Sequence, residues 1–344
     1  MSSPEPEPQS VFYDALTELK TAEQSEAVDS PQTSSPSYQL AYADKAFLSR
    51  DELRGVRLQL ELLKPELTQR DLGISSTVVI FGSTRIPEPG VAESRLAAAE
   101  AAVERAPGDA GCVRELAVAR RIAEKARYYE EARRLGQLIT QVSQHNGHRD
   151  LVVVTGGGPG IMEAANRGAQ DVGGKSIGLS IALPREERPN AYVTPELSFQ
   201  FHYFAVRKMH FLLRAKALVV FPGGYGTLDE LFETLTLIQT RKVKPVPVLL
   251  FGRAYWERVI RFDELAAEGT IAPEDLELFQ YVENAEDAWR LIQAFHRPLS
   301  AHSEEAAGGN EGATGGATGT VGATGTVDGS DGASKARTHR GGAE

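Results

Sequence analysis

Three glycine-rich clusters carry the residue types that bind phosphate groups. They lie at residues 81–85 (FGSTR), 155–160 (TGGGPG) and 222–227 (PGGYGT). Glycine lets backbone N–H groups approach an anion closely, and the N-terminus of a following helix adds a partial positive charge. The sequence therefore predicts a phosphate site. Its expected members are Gly82, Ser83, Gly156, Gly157, Gly158, Gly223, Gly224, Gly226 and Thr227.

Carboxylates follow the third cluster at once, in Asp229, Glu230 and Glu233. Beside a phosphate-binding loop, acids repel the ligand unless they face another part of it, such as ribose hydroxyls or a departing base. Glu230 and Glu233 are three residues apart, so they share one face of a helix. The acids thus indicate acid–base chemistry on the sugar or the base. The simpler alternative is that they stabilise the positive start of a helix.

Two adjacent cations, Arg207 and Lys208, precede the third cluster on a predicted helix. Neighbouring residues of a helix point to different sides, so at least one of the two can face the end of the sheet. There it would meet a phosphate or a carboxylate. The alternative is a solvated pair of surface cations.

Two common nucleotide motifs are excluded by their spacing. The glycines at 156 and 158 are followed by Ile161 where the dinucleotide fingerprint needs a third glycine. The stretch 174–176 (GKS) resembles the end of a P-loop, but the first glycine is misplaced and the stretch precedes a strand. An ordinary NAD enzyme and a P-loop NTPase are therefore disfavoured.

Apolar runs that could position these clusters alternate with helical patterns. Runs without polar alternation are typical of strands covered on both faces. They lie at 77–81, 151–155, 175–181, 217–221 and 246–251. Helical patterns fall between them, which predicts an α/β fold with a Rossmann-like, doubly wound parallel sheet. A helical N-terminal extension and a helical insertion at about 87–126 complete the prediction, because so long a structureless loop is improbable in a compact domain.

The composition sets the boundaries of this domain and limits the possible partners. Residues 1–40 and 299–344 are rich in small and polar residues, so we expect a disordered leader and a disordered Gly/Ala/Thr-rich tail around a domain at 41–298. The net charge of −10 argues against nucleic acid, and no apolar run suits a membrane span. The single cysteine, Cys112, and the polar N-terminus favour a reducing cytoplasm.

The pairing of residues 207–209 (RKM) with 222–230 (PGGYGTLDE), after the triplet 156–158, resembles the LOG family. Its members, once labelled lysine decarboxylases, include cytokinin riboside 5′-monophosphate phosphoribohydrolases and AMP nucleosidases. The resemblance covers about 77–293, and the string P-G-G-x-G-T-x-x-E is highly diagnostic. It implies that Arg207 and Glu230 are catalytic. It implies substrate contacts from Glu186, Lys208, Gly223, Gly224, Tyr225, Gly226, Thr227, Leu228 and Asp229.

Other features resemble the longer bacterial branch of that family more than the short plant-type members. They are Glu163, the segment 236–240 (TLIQT), the pair at 255–256 (YW) and the helical insertion. These departures weaken an expectation of cytokinin specificity more than one of glycosidic hydrolysis. The resemblance also implies a homodimer, or a higher homo-oligomer, with sites near the subunit interface.

The resulting expectation is hydrolysis of the N-glycosidic bond of a purine nucleoside 5′-monophosphate, to free base and ribose 5-phosphate. A carboxylate at Glu230 would stabilise the oxocarbenium-like sugar or activate water. Glu186 and Asp229 are weak candidates for the leaving-group acid. The scheme needs no cofactor or metal. The alternative is a non-catalytic nucleotide-binding carrier or regulatory protein, because a fold alone does not establish a function.

Overall fold

The computed structural model describes residues 15–24, 30–144, 149–183 and 188–296. The strands are β1 (Thr77–Phe81), β2 (Val152–Thr155), β3 (Ser176–Ile181), β4 (Ser198–Phe201), β5 (Ala215–Val220), β6 (Val248–Phe251) and β7 (Gln280–Val282). The helices are α1 (Ala15–Gln24), α2 (Lys45–Leu48), α3 (Arg54–Asp71), α4 (Pro89–Arg105), α5 (Ala110–Lys125), α6 (Arg127–Ser143), α7 (Ile161–Asp171), α8 (Phe204–Leu213), α9 (Tyr225–Gln239), α10 (Arg253–Val259), α11 (Phe262–Ala267) and α12 (Ala285–His296). Short 3₁₀ helices lie at Pro36–Tyr38, Asp51–Leu53, Pro195–Leu197 and Pro273–Leu278.

All seven strands form one parallel sheet in the order β4-β3-β2-β1-β5-β6-β7. From β1 the chain moves outward to β4, then returns to the other side of β1 at β5. The carboxyl ends of β1 and β5 therefore flank the point where the strand order reverses, which is where open α/β sheets bind their ligands. The predicted Rossmann-like, doubly wound parallel sheet is confirmed.

Alternate side chains of β1 serve two separate cores, which explains why its sequence is apolar throughout. Val78 and Ile80 belong to a core formed with α6, α7 and α12. Val79 and Phe81 belong to a core formed with α8, α9 and α10 on the opposite face. Because helices cover both faces, every residue of β1 is buried.

The helical insertion and the N-terminal extension take the forms that the sequence predicts. In the insertion, α4 and α5 are joined by a short turn and precede α6. In the extension, α3 is joined to the domain by Glu66, which accepts a hydrogen bond of 2.6 Å from Arg214 Nη2. Glu61 of α3 also accepts a hydrogen bond of 2.8 Å from the backbone N–H of His202.

The predicted disordered leader contains structure. Helix α1 lies within it, and its first residue, Ala15, accepts a 3.3 Å hydrogen bond from the hydroxyl of Tyr42. The segment 15–24 (ALTELKTAEQ) is rich in strong helix formers, so local propensity favours a helix where apolar periodicity is weak. Residues 1–14 of the leader and all of the predicted tail, 299–344, lie outside the described residues. Within the described ranges, no helix is both long and apolar enough to cross a membrane.

Candidate active site

A cavity of about 610 Å³ opens at the carboxyl ends of the strands, where the strand order reverses. The loops after β1, β2 and β5 and the helices α8 and α9 all contribute to its wall. The parallel sheet thus brings the three glycine clusters to one place. The predicted residues that line the cavity are Gly82, Ser83, Gly156, Gly157, Gly158, Arg207, Gly224, Tyr225, Gly226, Thr227 and Glu230.

Arg207 and Glu230 form a buried ion pair on the cavity wall. Arg207 Nη2 of α8 donates to Glu230 Oε1 of α9 at 2.8 Å, and the two side chains are 13% and 6% exposed. The guanidinium also lies over the rings of Phe204 and Phe211, at 5.2 and 5.5 Å from their centroids. Arg207 Nε is buried and has no hydrogen-bond partner among the described residues. One donor of the guanidinium is therefore left unpaired inside the protein, away from the cavity surface.

Burial changes the acidity of Glu230. It raises the pKa of this carboxyl group to about 7, although the nearby cations Arg207 and Lys208 act in the opposite direction. Removing a carboxylate from water disfavours its charged form, and the guanidinium recovers only part of that cost. Glu230 can therefore exchange a proton near neutral pH, as a general base or acid must.

The first turn of α9 presents open hydrogen-bond donors to the cavity. The N–H groups of Tyr225, Gly226 and Thr227 precede the first intrahelical bond, which Leu228 N–H donates to Gly224 C=O at 3.0 Å. The Thr227 hydroxyl makes no hydrogen bond with any described residue. A β-carbon on Gly224 or Gly226 would meet nothing within 4 Å. This turn is therefore open to an anion.

The glycine triplet after β2 differs from the prediction, because the protein itself occupies its polar groups. Gly157 N–H donates to the Thr155 hydroxyl at 3.0 Å. The carbonyls of Gly157 and Gly158 accept from Asn190 Nδ2 at 3.1 and 3.0 Å. The small size of Gly156 and Gly158 makes room for another protein group, since a β-carbon on either residue would lie within 2.9 Å of the Met162 side chain. The triplet builds the cavity wall, and fewer of its donors are free than the sequence suggests.

The remaining predicted site residues do not line the cavity. Lys208 donates to Asp229 Oδ1 at 2.8 Å and lies 3.3 Å from Glu233 Oε2, beside the Arg207–Glu230 pair. Leu228 of α9 is partly buried and packs against the core that α8, α9 and α10 share. Gly223 supports the turn, because its carbonyl accepts from the Tyr255 hydroxyl at 2.6 Å. Glu186 lies outside the described residues.

Several lining residues were not selected from the sequence. Arg85 follows the first cluster directly, and its position after a strand was the available signal. Met162, Ser180, Leu183 and Arg188 come from α7 or from the end of β3 and the loop that follows it, where no local motif marks them. Met162 and Leu183 give the cavity an apolar wall, and Arg85 and Arg188 add two cations to Arg207. Within the described ranges, no group of three His, Cys, Asp or Glu residues is placed to hold a metal ion.

Comparison with protein families supports the resemblance in the motifs. Residues 162–292 match the family model described as "Possible lysine decarboxylase". The chain is 32% identical over 155 residues to the probable cytokinin riboside 5′-monophosphate phosphoribohydrolase LOGL5 of Oryza sativa subsp. japonica. That alignment covers 44% of this chain and 58% of the rice protein. The chain is 26% identical over 175 residues to the cytokinin riboside 5′-monophosphate phosphoribohydrolase LOG7 of Arabidopsis thaliana, covering 50% of this chain and 76% of the relative.

Solved structures give weaker matches. The molybdenum cofactor binding protein from Rippkaea orientalis is 22% identical, with a TM-score of 0.35 over 49% of this chain and 88% of its own. The molybdenum cofactor carrier protein from Chlamydomonas reinhardtii is 21% identical, with a TM-score of 0.34 over 49% of this chain and 87% of its own. These scores are too low to carry an argument about this chain. The family and relative matches cover the segment that holds Arg207 and Glu230, so they support the resemblance of this chain to the LOG family.

Proposed function

We propose that this protein hydrolyses the N-glycosidic bond of nucleoside 5′-monophosphates and releases the free base and ribose 5-phosphate. The observation that carries the proposal is the buried Arg207–Glu230 pair, one turn of α9 away from the open donors at its N-terminus. A protein that only binds a nucleotide has no need of a buried carboxylate with a pKa of about 7.

The cavity offers a different environment to each part of such a substrate. The first turn of α9 and the hydroxyls of Ser83 and Thr227 would hold the 5′-phosphate. Glu230 is three residues after Thr227, on the same face of α9, so it would lie beside the ribose. The apolar wall at Met162 and Ile181 would then receive the base.

In the proposed reaction, Glu230 acts as a carboxylate. As the C1′–N bond breaks, positive charge develops on the ribose, and the carboxylate stabilises that charge. Glu230 also accepts a proton from the attacking water, whose oxygen forms the new bond to C1′. The bonding electrons leave with the base, which takes up a proton. Arg207 holds Glu230 in place through its Nη2.

The named relatives support this reaction and indicate substrates to test. Both carry the name of phosphoribohydrolases that act on cytokinin riboside 5′-monophosphates. We propose AMP and cytokinin riboside 5′-monophosphates as the first candidates, with a role in cytokinin biosynthesis if the second is preferred. Asp229 is a poor leaving-group acid because Lys208 binds it outside the cavity.

Product analysis tests the proposal. The purified protein is incubated with AMP, other nucleoside monophosphates and isopentenyladenosine monophosphate, and the products are separated by chromatography. We expect base and ribose 5-phosphate, with kcat reduced about 100-fold or more in Glu230→Gln and Arg207→Ala. Glu66→Gln and Arg214→Ala are matched controls, because they remove a second Arg–Glu pair that does not line the cavity. Saturable binding of a nucleotide without products would instead support a carrier or regulatory protein.

The pH profile gives a second test of the role of Glu230. Because the carboxylate is the active form, we expect kcat/KM to fall as the pH drops through about 7, the pKa of Glu230. A profile measured over about pH 5 to 9 should show this acid limb. A rate that rises as the pH falls through 7 would instead assign Glu230 as a general acid.

We also propose an oligomeric state, a location and a range of partners for the protein. We expect a cytoplasmic homodimer, or a higher homo-oligomer, with no nucleic acid or membrane partner. Light scattering on the purified full chain would give the mass in solution, and a monomer that turns over nucleotide would contradict a site that needs two subunits.

A further inference from the structure

A second ion-pair cluster lies beside the Arg207–Glu230 pair and joins the same two helices. Lys208 Nζ donates to Asp229 Oδ1 at 2.8 Å and lies 3.3 Å from Glu233 Oε2. The Lys208 side chain is 17% exposed, which is less than either of its partners. We call Lys208, Asp229 and Glu233 the outer clamp.

Sequence neighbours on the two helices explain this arrangement. Adjacent residues of a helix point about 100° apart, so Arg207 and Lys208 of α8 cannot face the same group. The same holds for Glu230 and Asp229 of α9. Arg207 and Glu230 meet on the cavity wall, while Lys208 and Asp229 meet outside the cavity lining. The outer clamp thus joins α8 to α9 next to the Arg207–Glu230 pair.

We propose that Lys208 is a positioning residue, which holds α9 against α8 through the outer clamp and does not bind the substrate. The inference rests on the proposed function for its catalytic consequence. It assigns Lys208 a role different from the substrate contact that the motif alone suggests. A shift of α9 would move both Glu230 and the donors of the first turn relative to Arg207.

Charge adds a second consequence. The charged groups that act on the pKa of Glu230 are Arg207 and Lys208 from α8 and Glu233 from α9 itself. Lys208 acts to lower the pKa of Glu230, and Glu233 acts to raise it. Burial acts to lower the pKa of Lys208, but its bonds to Asp229 and Glu233 outweigh burial and raise this pKa. Lys208 therefore remains a cation wherever the enzyme is active.

Steady-state kinetics over a range of pH tests the proposal with Lys208→Met, Lys208→Arg and Glu233→Gln. For Lys208→Met we expect kcat to fall about 10- to 100-fold through misplacement of Glu230, with KM changed less than about threefold. The acid limb of kcat/KM should move to higher pH in Lys208→Met, stay in place in Lys208→Arg, and move to lower pH in Glu233→Gln. Lys175→Met is the matched control, since Lys175 also forms an ion pair, with Glu196, but does not line the cavity.

A KM increase of about tenfold or more in Lys208→Met at unchanged kcat would show that Lys208 binds substrate and would overturn the proposal. An unchanged acid limb in both Lys208→Met and Glu233→Gln would also overturn it.

A measurement without substrate separates this proposal from the proposed function. The pKa of Glu230 is raised from 4.5 to about 7, so its protonated form stabilises the folded chain below 4.5 and this stability is lost as the pH rises toward 7. Denaturant titrations of the wild type and Glu230→Gln follow this loss as a difference in unfolding free energy. In the Lys208→Met background, the pH at which this loss of stability is complete should be higher. If that pH does not change, the proposed role of Lys208 in the outer clamp is wrong. If it does change but the wild type shows no turnover, only the proposed enzyme activity is wrong.

Discussion

The loops after β2 and β5 have similar compositions but use their glycines in opposite ways. After β2, Gly157 N–H bonds to Thr155, the carbonyls of Gly157 and Gly158 bond to Asn190, and Met162 fills the space beside Gly156 and Gly158. After β5, Gly223 packs against Thr227, but Gly224 and Gly226 face empty space, and the first N–H groups of α9 have no partner in the described part of the chain. A glycine-rich loop at a strand end therefore permits two outcomes, close packing within the protein or close approach of a ligand. Only the neighbours of the loop decide which of the two occurs.

The largest expected effect is a loss of stability from a substitution in the loop after β2. Gly157 has a φ of +74°, and a β-carbon there would lie 2.8 Å from Ser180 Oγ. Gly157→Ala should reduce the unfolding free energy by about 2 to 4 kcal/mol, through backbone strain and overpacking. Denaturant titration measures this loss. Gly226→Ala, after β5, is the control. A loss of unfolding free energy as large as that in Gly157→Ala would mean that the glycines of the two loops are equally constrained.

The next largest effect is a loss of nucleotide affinity from a substitution after β5, in the first turn of α9. The Thr227 hydroxyl lines the cavity without a partner among the described residues, so Thr227→Val removes a donor at nearly constant volume. A hydrogen bond to a charged phosphate contributes about 1.5–3 kcal/mol, so the Kd for AMP should rise about 10- to 100-fold. Calorimetry on the Glu230→Gln background measures Kd without turnover.

Thr155→Val is the matched control for Thr227→Val. The Thr155 hydroxyl bonds to Asn166 Oδ1 at 2.8 Å and accepts from Gly157 N–H. We expect its removal to reduce stability and to leave Kd within about twofold, because the hydroxyl serves the fold. The comparison between the loops breaks down if Thr155→Val weakens binding more than Thr227→Val does.

A smaller loss of stability is expected from Asn190, which follows β3 and bonds to the loop after β2. Asn190 Nδ2 donates to the carbonyls of Gly157 and Gly158, and its backbone N–H donates to Gly157 C=O at 2.8 Å. Asn190→Ala should reduce the unfolding free energy by about 1 to 2 kcal/mol, because Gly158 C=O loses its donor and Gly157 C=O keeps only the backbone one. Hydrogen exchange of the loop amides would show the loosening. Unchanged stability with a raised Kd would mean that Asn190 faces the substrate instead.

The sequence is sufficient to predict the interior strands and the residues at their ends. Strands such as β1 and β6 are covered on both faces, so their apolar runs mark them clearly. The edge strands β4 (SFQF) and β7 (QYV) are missed because they are partly exposed and contain polar residues, so neither forms a continuous apolar run. The start of α9 at Tyr225 carries no helical signal in the sequence, since Gly-Tyr-Gly is typical of a loop.

The site itself is predictable in its parts but not in its pairings. Arg207 and Glu230 can be selected because each lies on a helix next to the sheet end, and their motif resembles that of a known family. Their 2.8 Å contact, however, depends on how α8 and α9 flank β5. The partner of the glycine triplet, Asn190, follows β3 and carries no local signal. Contacts between residues far apart in the chain decide which glycines remain open, and a linear pattern does not contain them.

The smallest stability effect and the sharpest comparison come from Gly224→Ala. A β-carbon on Gly224 would meet nothing within 4 Å, and its φ of −96° suits any residue. The unfolding free energy should therefore change by less than about 0.5 kcal/mol, as for an exposed surface position. The same methyl group would project into the space left for the phosphate, so the Kd for AMP should rise about five- to tenfold. Gly90→Ala, in α4, adds a methyl group in equally open space outside the cavity lining and should leave Kd unchanged. If Gly224→Ala binds AMP as well as the wild type, the open space at the start of α9 is not the phosphate site. The phosphate would then have to lie nearer the glycine triplet, and the contrast between the two loops would be reversed.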